Sequence, residues 1–137
     1  MKKLMFLVMF IIGTTVFASY RADLIKKMST VDSKIQKVYD NPNASNASMI
    51  NACESGRKAW DVELNAVYKL LMKELSKEEQ ELLRKDERQW IKDRDAAAEE
   101  AADDAGGGTM SSLASVSTLF EETKKRTIEL AELYDSL

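Results

Sequence analysis

Apolar residues recur at intervals of three and four along most of the chain after residue 19, and this pattern constrains the fold more than any other feature. Such spacing places side chains on one face of an α-helix. One Pro and five Gly are too few to punctuate the many turns of a β-sandwich, so long helices are favoured. In the segment from Tyr20 to Tyr39 the stripe consists of Leu24, Met28, Val31, Ile35 and Val38.

Three further helices are predicted beyond the first. Pro42 ends the first helix, because proline has no amide donor and disfavours the helical conformation of the residue before it. Ser76 and Glu79 have the spacing of a capping box, so a third helix begins directly after the second. Such a short connection favours an antiparallel hairpin. We therefore expect an all-α fold of antiparallel helical hairpins that form a small four-helix bundle-like domain. The predicted later helices run from about Ser48 to Leu75, from Ser76 to about Ala105 before Gly106–Gly108, and from about Met110 to Leu137.

The first 18 residues have the pattern of a secretory signal. Lys2 and Lys3 precede an apolar run from Leu4 to Phe17, and Val16-Phe17-Ala18 fits a signal peptidase site. The alternative is a membrane anchor, but the run has 14 residues and a span needs about 20. We therefore expect an exported protein, periplasmic or extracellular, with no stable membrane anchor. The predicted division is a signal peptide at 1–18, a helix and linker at 19–42, and a helical domain at 43–137.

Composition excludes several kinds of function. With no His and one Cys, the chain lacks the usual ligands of a structural zinc site. It also lacks the histidine base that would activate a cysteine nucleophile. Its formal charge is −3, which becomes −5 if Lys2 and Lys3 leave with the signal, and an acidic protein is a poor ligand for nucleic acid. No phosphate loop or metal-ligand set is visible. We expect no catalysis, no cofactor, no metal and no nucleic-acid partner.

Cys53 has no cysteine partner within the chain. It lies on the apolar stripe of the second helix, which favours a buried free thiol over a disulfide between two chains. The pattern does not decide the oligomeric state.

Polar residues interrupt the apolar stripes of three helices at related levels. Because buried amides and guanidinium groups need partners, we predict one mixed network that fixes the helix register. Paired carboxylates could also serve acid-base catalysis, but nearby arginines would hold both as anions. The predicted network comprises Asp61, Asn65, Arg94, Asp95, Thr123 and Arg126, beside Leu64, Tyr68 and Trp90.

The third helix ends in an alanine-rich, acidic segment from Ala96 to Ala105, followed by a glycine turn. Its carboxylates lack the alternate spacing of a calcium loop, so a solvated acidic face is the favoured interpretation. We nevertheless select this end of the molecule as the candidate contact with a partner. The residues concerned are Glu99, Glu100, Asp103, Asp104, Gly107, Gly108 and Thr109.

Five elements, taken in order and spacing, resemble the domain of the lysozyme inhibitor LprI-like family. The resemblance covers about Met49 to Leu133 and implies an exported, non-enzymatic helical protein that binds and blocks host lysozyme. The elements are Cys53, Asp61-Val-Glu-Leu64-Asn65-Ala-Val-Tyr68, Gln89-Trp90-Ile91-Lys-Asp-Arg94-Asp95, Gly107-Gly108-Thr109 and Thr123-Lys-Lys-Arg126-Thr-Ile-Glu129-Leu130.

The chain departs from the family pattern at its cysteines. The resemblance implies further cysteines in regions that here read Asn43–Asn46, Ala96–Ala98 and Ser117–Leu119, so the family's disulfides are absent. Their loss, at about 2 to 4 kcal/mol per bridge, must be offset by packing or by the first helix. That helix could instead pair with a partner or a second copy, which leaves a cell-envelope structural or assembly module as the alternative function.

Overall fold

The computed structural model describes residues 19–137, which form four α-helices and no strand. The predicted signal at 1–18 lies outside these residues. None of the helices within 19–137 is long and apolar enough to cross a membrane. The all-α prediction is confirmed. The helices are α1 (Tyr20–Tyr39), α2 (Asn46–Glu74), α3 (Lys77–Asp104) and α4 (Gly108–Asp135).

Serine side chains cap the first three helices. Ser19 and Ser45 accept hydrogen bonds from backbone amides in the first turns of α1 and α2. Ser76 and Glu79 form the predicted capping box at the start of α3, with both reciprocal bonds present. Before α4 the chain turns through Gly106 and Gly107, whose φ angles of 80° and 105° suit glycine. The helix boundaries thus follow from local capping chemistry.

Side-chain contacts define the direction of each helix. α1 is antiparallel to α2, since Tyr39 meets Cys53 at one end and Lys27 meets Glu63 further along. α1 is also antiparallel to α4, because Ser19 donates a hydrogen bond to Asp135. The helices therefore alternate in direction. The hairpin predicted for the second and third helices is not a packed pair, because α2 and α3 each pack mainly on α4.

The parallel pair α2 and α4 forms the centre of the molecule. Asn46 donates a hydrogen bond to the hydroxyl of Thr109 at 2.9 Å, so the two helices start at the same level. Gly56 allows close packing, because a Cβ added there would lie 2.9 Å from Phe120 Cε2 and would collide with Ile35 Cδ1. α1 packs on both helices of this pair, and α3 packs mainly on α4.

α1 completes the hydrophobic core of its own chain. Leu24, Met28 and Ile35 are buried, and they belong to the same cluster as Trp60 of α2 and Phe120 of α4. Within the described residues α1 therefore covers α2 and α4, and the buried part of its apolar stripe faces its own chain. The remaining buried hydrophobic members of the cluster are Cys53, Leu64, Val67, Leu71, Leu83, Val116, Leu130 and Ala131.

Candidate functional site

An ion-pair cluster centred on Arg126 joins α3 and α4. Arg126 Nε donates a hydrogen bond to Glu87 Oε1 at 2.6 Å, and the guanidinium also pairs with Asp86 and, at 3.4 Å, with Glu129. The side chains of Arg126 and Glu87 are only 13% and 11% exposed. Burial raises the pKa of Glu87, and the positive charge of Arg126 opposes this rise. The cluster is a semi-buried link between two helices.

Arg94 and Trp90 form a second, separate group on α3. The Arg94 guanidinium lies 5.0 Å from the centre of the Trp90 ring and donates hydrogen bonds to Asp95 at 2.8 and 2.9 Å. The Arg94 side chain is 17% exposed, and Trp90 packs against the hydrophobic core. Trp90 thus lies against the core, as its place on the α3 stripe predicts, whereas the polar partners of Arg94 belong to α3 itself.

The predicted polar residues of α2 lie at its surface. Asn65 is exposed, and its amide is 3.5 Å from the carboxylate of Asp61 one turn earlier. Leu64 is buried, and Tyr68 packs against the core. Neither Asp61 nor Asn65 hydrogen-bonds to another helix within residues 19–137.

Thr123 is fully buried in α4 against the core. Its hydroxyl oxygen has no hydrogen-bond partner among the described residues. Thr127, one turn later, instead donates a hydrogen bond to the Thr123 carbonyl at 2.7 Å. Thr123 is therefore a packing residue and not part of a polar network.

The prediction of one network through these residues is wrong. The structure separates it into the Arg126 cluster, the Arg94 group, the Asp61–Asn65 pair and an isolated Thr123. The physical reason is that α3 packs mainly on α4, so Arg126 finds its carboxylates on α3 and not on α2. Glu87 was missed as a site residue, although its spacing from Leu83 and Trp90 places it on the α3 stripe.

Polar contacts from α1 were also missed. The Trp60 indole nitrogen donates a hydrogen bond to Asp32 at 2.9 Å, and Lys124 of α4 pairs with the same carboxylate at 2.9 Å. Lys124 also lies 5.7 Å from the centre of the Trp60 ring. Asp32 thus links three helices. No spacing within α1 signals this role, because both partners are distant in sequence.

The acidic end of α3 and the glycine turn form one exposed surface, which we call the acidic tip. The four carboxylates make no ion pair with any residue in 19–137. The turn itself is fixed, since the Ser111 hydroxyl donates to the Ala102 carbonyl at 2.6 Å and accepts from the Gly107 amide at 2.8 Å. Its contact with a partner stays a prediction. The acidic tip comprises Glu99, Glu100, Asp103, Asp104, Gly107, Gly108 and Thr109.

Cys53 is a buried free thiol, as its place on the stripe predicts. Its sulfur is 3.1 Å from the Tyr39 hydroxyl. Burial raises the pKa of Cys53, which keeps the thiol protonated at neutral pH. Desolvation and the contact with Cys53 likewise raise the pKa of Tyr39.

Comparison with known proteins assigns the chain to a family. The model of the family described as lysozyme inhibitor LprI matches residues 39–130, which include all of α2 and α3 and most of α4. An uncharacterized protein of Rhizobium meliloti (strain 1021) is 35% identical over 101 residues, or 64% of this chain and 73% of the relative. No solved structure matches the chain significantly. The matched region covers well over half of the sequence, and the chain therefore belongs to the lysozyme inhibitor LprI family.

Proposed function

We propose that this protein is an exported, non-catalytic binding protein that inhibits a lysozyme. The observation that carries the proposal is membership of the lysozyme inhibitor LprI family over residues 39–130. Export is part of the proposal and rests on the basic and apolar pattern of residues 1–18.

Electrostatics supports the acidic tip as the contact surface. Animal-type lysozymes are strongly basic, so an acidic protein is steered toward them at low ionic strength. The acidic tip offers four carboxylates with no ion-pair partner in 19–137, and they gain interaction energy when a cation approaches. Complementary charge accelerates association and favours one orientation of the two proteins.

The rigidity of the hairpin end supports the same surface. α3 continues to Asp104 and α4 begins at Gly108, so a short turn presents the carboxylates at the end of two packed helices. The Thr109 hydroxyl accepts a hydrogen bond from Asn46, which ties the turn to α2. A fixed surface loses little conformational entropy when it binds a partner.

A lysis assay tests the proposal. Equimolar protein is added to lysozyme acting on bacterial cell walls, and turbidity is followed at low ionic strength. We expect slower lysis with the native protein and weaker inhibition with the double variant Glu99→Gln/Glu100→Gln. The matched control is Glu74→Gln/Glu78→Gln, which removes the same charge from two exposed residues beside the connection between α2 and α3, far along α3 from the acidic tip. Undiminished lysis with the native protein would refute inhibition, and equal loss in both variants would refute the acidic tip.

A further inference from the structure

A cleft of about 390 Å³ lies between α1 and α4, above α2. Its apolar lining consists of the exposed ring of Tyr39 and of the nearly buried side chains of Ile35, Phe120 and Cys53 at its floor. Its polar rim contains two carboxylates and one ammonium group. The volume falls in the range of small-ligand sites, about 300 to 1,000 Å³. The rim consists of Asp32, Gln36, Ser117, Glu121 and Lys124.

Only one of the two carboxylates of the cleft has an ion-pair partner among the described residues. Lys124 is held by Asp32 at 2.9 Å and by the face of the Trp60 ring. Glu121, in contrast, is exposed at the edge of the cleft and makes no ion pair or hydrogen bond with any residue between Ser19 and Leu137. The one cation of the rim is therefore already engaged, and one carboxylate beside an aromatic surface remains without a counter-charge.

The negative charge of Glu121 affects the pKa values of two side chains that line the cleft. Burial raises the pKa of Cys53, and the negative charge of Glu121 raises it further. Glu121 also contributes to the raised pKa of Tyr39, after burial and the contact with Cys53. Its field therefore reaches the apolar surface where a bound group would lie.

We propose that this cleft binds an arginine side chain of a partner protein. The aliphatic stem would pack on Phe120 and Ile35, and the guanidinium would pair with Glu121 and lie against the Tyr39 ring. A guanidinium fits this environment because it is weakly hydrated, stacks on aromatic rings and binds carboxylates in a planar geometry.

The cleft is distinct from the acidic tip. One wall belongs to α1, and the family match begins only at residue 39, so Asp32, Ile35 and Gln36 lie outside the matched region. α1 packs on α2 and α4, whereas α3, which carries the acidic tip, packs mainly on α4. The inference does not require lysozyme to be the partner, and its test is independent of lysozyme inhibition.

Titration with a minimal arginine probe tests the proposal. The protein is produced in ¹⁵N medium, purified and titrated with N-acetyl-arginine amide. Chemical shifts of the backbone amides are followed by NMR. We expect saturable shifts in the segments 35–39 and 117–124. N-acetyl-citrulline amide, which has nearly the same shape without the charge, should bind about tenfold more weakly.

The variant Glu121→Gln should also weaken binding of the arginine probe about tenfold. The matched control Glu122→Gln removes the same charge from the next residue, which does not line the cleft, and should leave binding unchanged. Absence of saturable shifts in the cleft, equal binding of the citrulline probe, or equal weakening by both variants would overturn the proposal. Tighter binding of the diamine putrescine than of the arginine probe would overturn the assignment to a protein side chain.

Discussion

Arg126 of α4 donates a hydrogen bond to Glu87 of α3, with 2.6 Å between Nε and Oε1. Both side chains are largely shielded from water, and Asp86 completes the pairing of the guanidinium at the surface. A buried ion pair contributes little net stability compared with apolar groups, but the loss of one partner leaves a charge uncompensated. Mutations of Arg126 and Glu87 are therefore expected to have strongly non-additive effects on the free energy of unfolding.

The variant Arg126→Met should lower the free energy of unfolding by about 3 kcal/mol, because Glu87 would remain buried without its counter-charge. The double variant Arg126→Met/Glu87→Leu should regain much of this loss. Urea denaturation measures both. Arg84→Met is the control, since Arg84 pairs with Glu81 in an exposed position and its loss should cost at most about 1 kcal/mol. Additive effects of the two changes would contradict a coupled pair.

The two buried threonines of α4 should respond in opposite ways to valine. Thr123→Val replaces a hydroxyl without a partner in 19–137 by a methyl group of similar size, so stability should stay equal or rise by about 1 kcal/mol. Thr127→Val removes the hydroxyl that bonds the Thr123 carbonyl and should lower stability by about 1 kcal/mol. Thermal unfolding of both variants compares them. Destabilisation by Thr123→Val as large as by Thr127→Val would indicate a hydrogen bond that the structure does not show.

The sequence predicts the helices well because their signals are local. The 3–4 spacing, Pro42, the Ser76 capping box and the glycine turn each act within a few residues, and all four mark real helix boundaries or faces. The burial of Cys53 follows from the same spacing.

The polar contacts could not be derived in this way. Which helix faces Arg126 depends on how four helices pack, and α3 packs mainly on α4. The spacing places Asp61 and Asn65 only at the margin of the α2 stripe. In the fold Asn65 is exposed to solvent and Asp61 is half-buried. The cleft beside Glu121 requires two walls from helices about 85 residues apart in sequence, so no single segment indicates it.

Alkaline pH should destabilise the protein through the thiol. An unfolded cysteine loses its proton near the ordinary value of 9.0, whereas burial raises the pKa of native Cys53. Above pH 9 the unfolded state therefore binds fewer protons than the native state, and the free energy of unfolding falls as pH rises, by no more than about 1.4 kcal/mol per pH unit for each proton. Tyr39 adds to this fall at higher pH, since its pKa is also raised.

Denaturation at pH 7 to 10.5 measures this dependence. The variant Cys53→Ala should show a smaller decrease in stability between pH 9 and 10.5 than the native protein. An identical pH dependence in both proteins would contradict a raised pKa for the buried thiol.

Removal of residues 19–42 should abolish cooperative unfolding. The deletion exposes the core surface that Leu24, Met28 and Ile35 cover, and burying each such side chain contributes about 1.5 to 3 kcal/mol. The sum is comparable with the whole stability of a typical domain. Circular dichroism and light scattering of the shortened chain test this expectation. A shortened chain that stays folded, while the native protein is a dimer, would support pairing of α1 between chains.

Calorimetric titration of the protein into an animal-type lysozyme measures the proposed binding itself. At low ionic strength we predict saturable binding with about one protein per lysozyme, weakened as salt is added because the attraction is partly between exposed charges. The absence of saturable binding at low ionic strength would show that the protein does not inhibit lysozyme by binding it.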